Sequence, residues 1–320
     1  MKKRIIYYFP LMLLIFIFSI NSYAGNLTES NLNFKPIGDF SVITVGTGSP
    51  LYSENRVRPC TVIQYSGNYI VVDSGDGSVN SMEKSKLPMR KITGIFYTHH
   101  HLDHNADAIP LLIRSRLRGS DALIVGPSVP STKKFVDFIL SFYKKDIIYR
   151  CKNTGTSYEK FCDIKVKEIS KQTEFNLGKM KVSATNVVHT IPTYAYRFDY
   201  DGKSIVVSGD TSYSKNLITL SKNADILVMD SGGIKYENTG RVKRRQNKKR
   251  KRSTVNNRNA NKAHSSLKEV AVMAEKSNVK ALILTHFRPG IIDSAGTLKE
   301  ITKYYHGKVI FASDMKQYTP

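Results

Sequence analysis

From about Phe40 onward, short apolar runs alternate with stretches whose apolar residues recur at helical spacing. The runs predict strands at SVITVG (41–46), TVIQY (61–65), YIVVD (69–73), GIFYT (94–98), ALIVG (122–126), KVSATNVV (181–188), YAYRFDY (194–200), SIVVSG (204–209), DILVM (225–229), ALILT (281–285) and KVIFA (308–312). Helices are expected over 107–117, 131–143, 213–221, 267–277 and 298–305. Ser266 followed by Glu269 is a capping-box pattern that starts the fourth of these. Strands and helices alternating at this spacing describe an α/β layered domain. With no Pro/Ser-rich linker and no short repeat, residues 36–320 read as one domain.

The first 24 residues stand outside that pattern. Lys2, Lys3 and Arg4 precede an apolar run from Ile5 to Ile20, and Asn21-Ser22-Tyr23-Ala24 follows. This is the form of a secretory signal peptide cleaved after Ala24, leaving 25–35 as an N-terminal extension. A retained anchor is the competing reading, but the run is short against the ~20 residues of a span and Pro10 interrupts it. The expectation is therefore an exported protein, periplasmic or secreted, with no membrane span after cleavage. Export permits disulfides. Cys151 and Cys162 flank a polar stretch that could close as a loop; a bridge and two free thiols both remain open, and Cys60 is left alone.

Composition adds little to the fold but locates the charge. With 41% apolar and 23% charged residues over 320 positions, whole-chain disorder, collagen and coiled coil are excluded. The net charge of +23 is concentrated. Positions 241–262 hold eleven Lys/Arg and no acid, and 2–4 hold three more, which leaves +9 for the rest. The 241–262 segment has almost no apolar residues, so it reads as a disordered basic insertion. Arg244, Arg245, Lys248, Lys249, Arg250, Lys251 and Arg252 suit a polyanion such as nucleic acid, an anionic surface or an acidic polysaccharide. A solvated insertion without a partner is the alternative.

The chemistry lies elsewhere. In Thr98-His99-His100-His101-Leu102-Asp103-His104, four of the eight histidines fall within six residues with a carboxylate among them. Imidazole and carboxylate are the donors that divalent zinc and its neighbours prefer. Strand alternation sends His99 and His101 to one side and His100 to the other. Three further apolar runs end on His189, Asp210 and His286. Ligands collect at the carboxyl ends of strands in layered α/β proteins. A lone strand-end histidine is usually structural; four strand ends delivering the same chemistry are not a coincidence. Seven donors exceed what one tetrahedral zinc takes and suit two ions sharing a bridging carboxylate and water.

HHHLDH resembles the H-x-H-x-D-H motif of the metallo-β-lactamase fold. GTGSP (46–50), VDSGDG (72–77), His189, SGDT (208–211), AHSS (263–266) and LTHF (284–287) follow in the family's order, covering about 36–320. The detail is similar to the branch that holds ribonuclease Z and the metallo-β-lactamase-type arylsulfatases. The resemblance implies a four-layer αββα sandwich. It implies that His99, His101 and His189 hold one ion, that Asp103, His104 and His286 hold the other, and that Asp210 bridges them. The ions are expected to be Zn²⁺, with Mn²⁺ or Fe²⁺ as alternatives. Asp103 is a catalytic candidate as well as a ligand. His264 matches a proton-donating histidine of the ribonuclease Z branch, Asp230 sits where that branch has its acidic partner, and Asp73 is expected to hydrogen-bond a ligand histidine. His100 and His306 are read as non-ligands.

Departures from the branch bear on substrate. There is no Gly-rich, Lys-containing arm between the histidine motif and His189, the acidic loop reads MDSGG, and the leader would part the protein from tRNA. The first expectation is thus an exported dizinc hydrolase of phosphodiester or sulfate esters acting through a metal-bridging hydroxide. The second is a ribonuclease Z-like endonuclease that holds nucleic acid on the basic insertion. Thioester or lactam hydrolysis shares the fold. A polyanion-binding protein with a structural metal site is the reading of another class. Oligomeric state is open, with a homodimer among the options.

Overall fold

The structure is a computed structural model that describes residues 37–237 and 263–320. The leader, the 25–35 extension and the basic 241–262 insertion lie outside the described residues.

The chain order is β1 (Phe40–Gly46), β2 (Cys60–Tyr65), β3 (Asn68–Val72), α1 (Ser78–Lys84), β4 (Ile92–Phe96), α2 (Leu102–Asn105), α3 (Ala108–Leu117), β5 (Leu123–Pro127), α4 (Thr132–Phe142), α5 (Lys144–Thr154), α6 (Tyr158–Cys162), β6 (Val166–Ile169), β7 (Thr173–Leu177), β8 (Met180–Val187), β9 (Thr193–Tyr200), β10 (Lys203–Val207), α7 (Lys215–Leu220), β11 (Ile226–Asp230), α8 (Leu267–Lys276), β12 (Ala281–Thr285), α9 (Ser294–Ile301), β13 (Lys308–Phe311) and β14 (Lys316–Tyr318). Two seven-stranded mixed sheets result, ordered β14-β1-β2-β3-β4-β5-β6 and β13-β12-β11-β10-β9-β8-β7. In the first, β3 to β6 run parallel. In the second, β10 to β13 do.

Both faces of these sheets are covered, so central strands read as continuous apolar runs rather than alternating ones. Val42, Ile63, Ile70, Val72 and Phe96 point inward to meet Val182, Tyr196, Phe198 and Val206 of the second sheet. The intervening Ile43, Val45, Val62, Val71 and Ile95 point outward and pack on Val79, Met82, Leu111, Leu112, Val136 and Ile139 of α1, α3 and α4. On the other side, Leu217 of α7, Val270 and Met273 of α8 and Ile301 of α9 cover the second sheet. The layers are α, β, β, α.

One expectation changes, and two points left open by the sequence are settled. The last expected helix begins at Ser294, not residue 298, because Asp293 caps it by accepting from the Gly296 amide at 2.8 Å. Asp103 and His104 sit on a short helix, α2. Cys60, Cys151 and Cys162 are all free thiols, so of the two readings of 151 and 162 the unbridged one holds. Among the described residues, no helix is long and apolar enough to cross a membrane.

Candidate metal centre

The parallel strands bring their carboxyl ends to one edge, and both sheets contribute. β4 leads through Thr98 into His99, His101 and α2; β8 ends before His189, β10 before Asp210, β12 before His286, and β11 ends on Asp230. Two of the turns off these strands are sharp. Asp73 (φ 60°) and His286 (φ 65°) adopt the left-handed backbone that side chains other than glycine's rarely take. Such conformations gather at functional sites, where the surrounding fold enforces them.

The seven expected donors converge. His99 Nε2 and His189 Nε2 lie 3.0 and 3.2 Å from His101 Nδ1. His104 Nε2 is 3.6 Å from an Asp103 oxygen, and His286 Nε2 is 3.4 Å from the same oxygen. Asp210 lies between these groups: its carboxylate is 4.0 and 3.9 Å from His99 and His189, and 3.4 and 3.3 Å from His104 and His286. His99–His101–His189 and Asp103–His104–His286 each gather three donor atoms within 4.8 Å of one another.

Three of these rings are held by the nitrogen that faces away. The Nδ1 of His99 bonds Thr98 Oγ1 at 3.0 Å, that of His189 donates to the Ala263 carbonyl at 2.7 Å, and that of His104 donates to Asp73 at 2.8 Å. Asp73 also accepts from the Thr98 amide and hydroxyl, at 2.8 and 2.7 Å. An imidazole fixed through one nitrogen by an oxygen acceptor presents the other as a ligand. His104 Nε2 is buried without a hydrogen-bond partner, a costly arrangement unless an electrophile meets it. The donor set and this orphaned nitrogen fit divalent cations.

Electrostatics divide the cluster. Burial, with help from neighbouring His104, pushes the His99 pKa down, and burial does the same to His189. Burial also opposes charge on His104 and His286, but the Asp210 carboxylate, with Asp73 for one and Asp103 for the other, outweighs it; His104 rises and His286 reaches about 9. Burial works against charge on Asp210, yet His286 and His104 hold its carboxyl well below the usual range.

His264 and Asp230 stand beside this cluster. His264 Nδ1 donates to Asp230 Oδ2 at 2.6 Å, and that bond, against burial, raises the histidine's pKa. Asp230 is held in turn by the Thr211 and Gly232 amides at 3.3 and 3.0 Å. The capping box sits two residues beyond: Ser266 Oγ accepts from the Glu269 amide while Glu269 accepts from the Ser266 amide. Gly232 explains the MDSGG loop, since a Cβ there would lie 2.2 Å from His264 Cβ. His100 faces away with both nitrogens engaged, to Thr132 Oγ1 at 2.8 Å and from Asn105 at 3.2 Å. His306 pairs with Glu275 on the surface. Thr98, the Ala263 carbonyl and Gly232 carry no signal that sequence reasoning used, although Thr98 directly precedes the motif.

The fold and donor set define a metal-dependent hydrolase of the metallo-β-lactamase kind. Residues 68–287, more than half the chain, match the Beta-lactamase superfamily domain, and the chain belongs to that family. Ribonuclease Z of Mycobacterium marinum is 28% identical over 261 residues, spanning 78% of this chain and 87% of the relative. Ribonuclease Z of Mycobacterium bovis is 26% identical over 263 residues, with 78% and 86% covered. Among solved structures, the metallo-beta-lactamase fold protein YhfI from Bacillus subtilis superposes with TM-score 0.65 at 18% identity over 88% of this chain and all of that one. The short form of human tRNase Z gives 0.60 at 20% identity over 87% and 98%. At these identities the structural likeness concerns the fold.

Proposed function

We propose that this protein is a ribonuclease Z-like endonuclease, a phosphodiesterase that cleaves RNA with two divalent ions, zinc first among them. The observation that carries this reading is the 2.6 Å His264–Asp230 pair standing at the edge of the histidine–aspartate cluster. The names of the relatives support it. They reverse the order of the sequence expectations, in which sulfate esters shared first place with phosphodiesters and the ribonuclease Z-like reading came second; the sulfate reading keeps only the fold behind it.

His99, His101 and His189 would hold one ion and Asp103, His104 and His286 the other, with Asp210 shared. Bound there, such ions supply Lewis acidity and lower the pKa of a bound water from ~15.7 toward about 7. The chain's own residues supply the rest. Asp103, with its carboxylate 3.4 Å from His286 Nε2, can orient a water at the cluster. Asp230 accepts a hydrogen bond from the Nδ1–H of His264, which leaves the Nε2–H of the imidazolium as the proton delivered to the departing oxygen. The same carboxylate keeps that imidazolium charged. Export remains part of the proposal on the strength of the 1–24 pattern, and a mature protein beginning at Gly25 is its test.

His264→Ala should lower kcat on RNA by about 10²–10⁴-fold, the usual worth of a positioned proton donor. The loss should be far smaller on a p-nitrophenyl phosphodiester, whose phenolate leaves without protonation. Equal losses on both remove the proton-donor role. Hydrolysis of p-nitrophenyl sulfate or nitrocefin with no cleavage of RNA overturns the proposal.

A further inference from the structure

Leu51, Tyr52, Leu102, Val188 and Ile291 belong to the large apolar side chains exposed among the described residues. Leu102 follows His101 and Val188 precedes His189. Tyr52, at 76% exposure, stands on the loop after β1.

That loop is rigid at its root. The Ser49 amide donates to the Phe287 carbonyl at 2.9 Å and the Phe287 amide to the Thr47 carbonyl at 2.7 Å, so the loop is stitched to the residue after His286. The Asp314 carboxylate accepts from the Thr47 amide at 2.9 Å, its hydroxyl at 2.6 Å and the Val57 amide at 2.5 Å. On the other flank, a Cβ at Gly75 would lie 2.4 Å from Arg58 Cβ and 2.3 Å from the Asp103 carbonyl. The 47–58 loop is thus wedged between the backbones of two candidate ligands. Two cations are placed as well: Arg56 of the loop lies over the Phe287 ring at 5.2 Å, and Arg288, the residue after Phe287, over Tyr236 at 5.2 Å. Aromatic faces interleaved with arginines are how single-stranded nucleic acid is held without reading base edges.

We propose that Tyr52 is a stacking platform for an unpaired base of the substrate, with Arg56 and Arg288 neutralising the phosphates on either side of it. This rests on the phosphodiesterase reading and narrows it to single-stranded segments. The test uses the full chain loaded with zinc and a phosphorothioate-linked RNA hexamer carrying 2-aminopurine, whose fluorescence falls on stacking. The wild type should quench the probe and bind it about tenfold more tightly than Tyr52→Ala, which should not quench; Tyr52→Phe should restore both. The same hexamer in a duplex should bind the wild type no better than the single strand binds Tyr52→Ala. Unchanged quenching in Tyr52→Ala, or preference for the duplex, overturns the platform. So does binding to phosphatidylglycerol vesicles that Tyr52→Ala loses while hexamer binding stays the same, which would assign Tyr52 to a lipid surface. Hydrolysis of bis-p-nitrophenyl phosphate is followed in parallel. Hydrolysis without quenching removes the platform alone, whereas quenching without hydrolysis of any phosphodiester supports the platform and removes the catalytic reading.

Discussion

The two halves of the histidine–aspartate cluster are built on opposite principles. His99, His101 and His189 form an all-imidazole group whose outer nitrogens rest on neutral oxygens, Thr98 Oγ1 and the Ala263 carbonyl. Asp103, His104 and His286 include a carboxylate, and carboxylates also back them: Asp73 is 2.8 Å from His104, and Asp230 is 3.8 Å from His286. Asp210 leans toward the second group by more than half an ångström. One half is neutral and desolvated; the other is dense in buried negative charge. Burying a carboxylate is costly unless a cation meets it, and the second half depends on its cation more than the first. The charge-rich half should bind its ion more tightly, and the neutral half should lose its ion first to a chelator.

Asp210→Ala breaks the comparison outright, because this carboxylate alone among the seven reaches both halves. We expect hydrolysis at background and metal content well below the proposed two ions per chain, read by elemental analysis. The two β-sheet cores pack without the cluster, so circular dichroism should remain that of a folded protein. Retention of full metal content would show that the halves assemble independently.

Smaller and more informative is Asp73→Asn. Asparagine tolerates the left-handed backbone at this position, so the change isolates charge and acceptor capacity. Asp73 accepts three hydrogens, two from Thr98 and one from His104, and an asparagine offers one oxygen where two are used. Metal affinity should fall by about 10–100-fold, the usual effect of removing an outer partner of a ligand histidine. The fall should be larger in the His104 half, which touches Asp73 directly, than in the His99 half, which reaches it through Thr98. A chelator titration in which both ions of the variant weaken by the same factor relative to the wild type leaves the asymmetry without support.

How much of this was legible follows burial. Strands in the middle of each sheet carry near-continuous apolar runs and stood out in the sequence. Those missed are β6, β7 and β14, three of the four edge strands, which pair on one side only: VKEI and TEFNL expose much of their length, and KQY, though mostly buried, is three residues long, so none has a run to find. α5 was hidden for a like reason, since only Ile147 and Cys151 of its eleven residues are buried. The candidate donors were visible because imidazole and carboxylate at strand ends are rare. Their supports were not. Asp314 lies 267 positions from the Thr47 it clamps, and the group that orients His189 is a main-chain carbonyl, which no residue letter announces.

That carbonyl belongs to Ala263, the first described residue after the basic insertion, and it is bonded to a candidate ligand of the neutral half. The insertion therefore rejoins the chain at the cluster, one residue before His264. Replacing Arg244, Arg245, Lys248, Lys249, Arg250, Lys251 and Arg252 by serine keeps the length and leaves Ala263 in place. If these side chains follow a polyanion into the cluster, KM for long RNA should rise and its dependence on salt should flatten. For single strands the logarithmic slope should lessen by about 0.7 for each phosphate that the variant no longer neutralises. A dinucleotide, with a single phosphodiester to offer the basic side chains, should be affected least. An equal effect on dinucleotide and long RNA would mean that the charge acts on the neutral half itself, through Ala263 and His189, and not by holding the substrate.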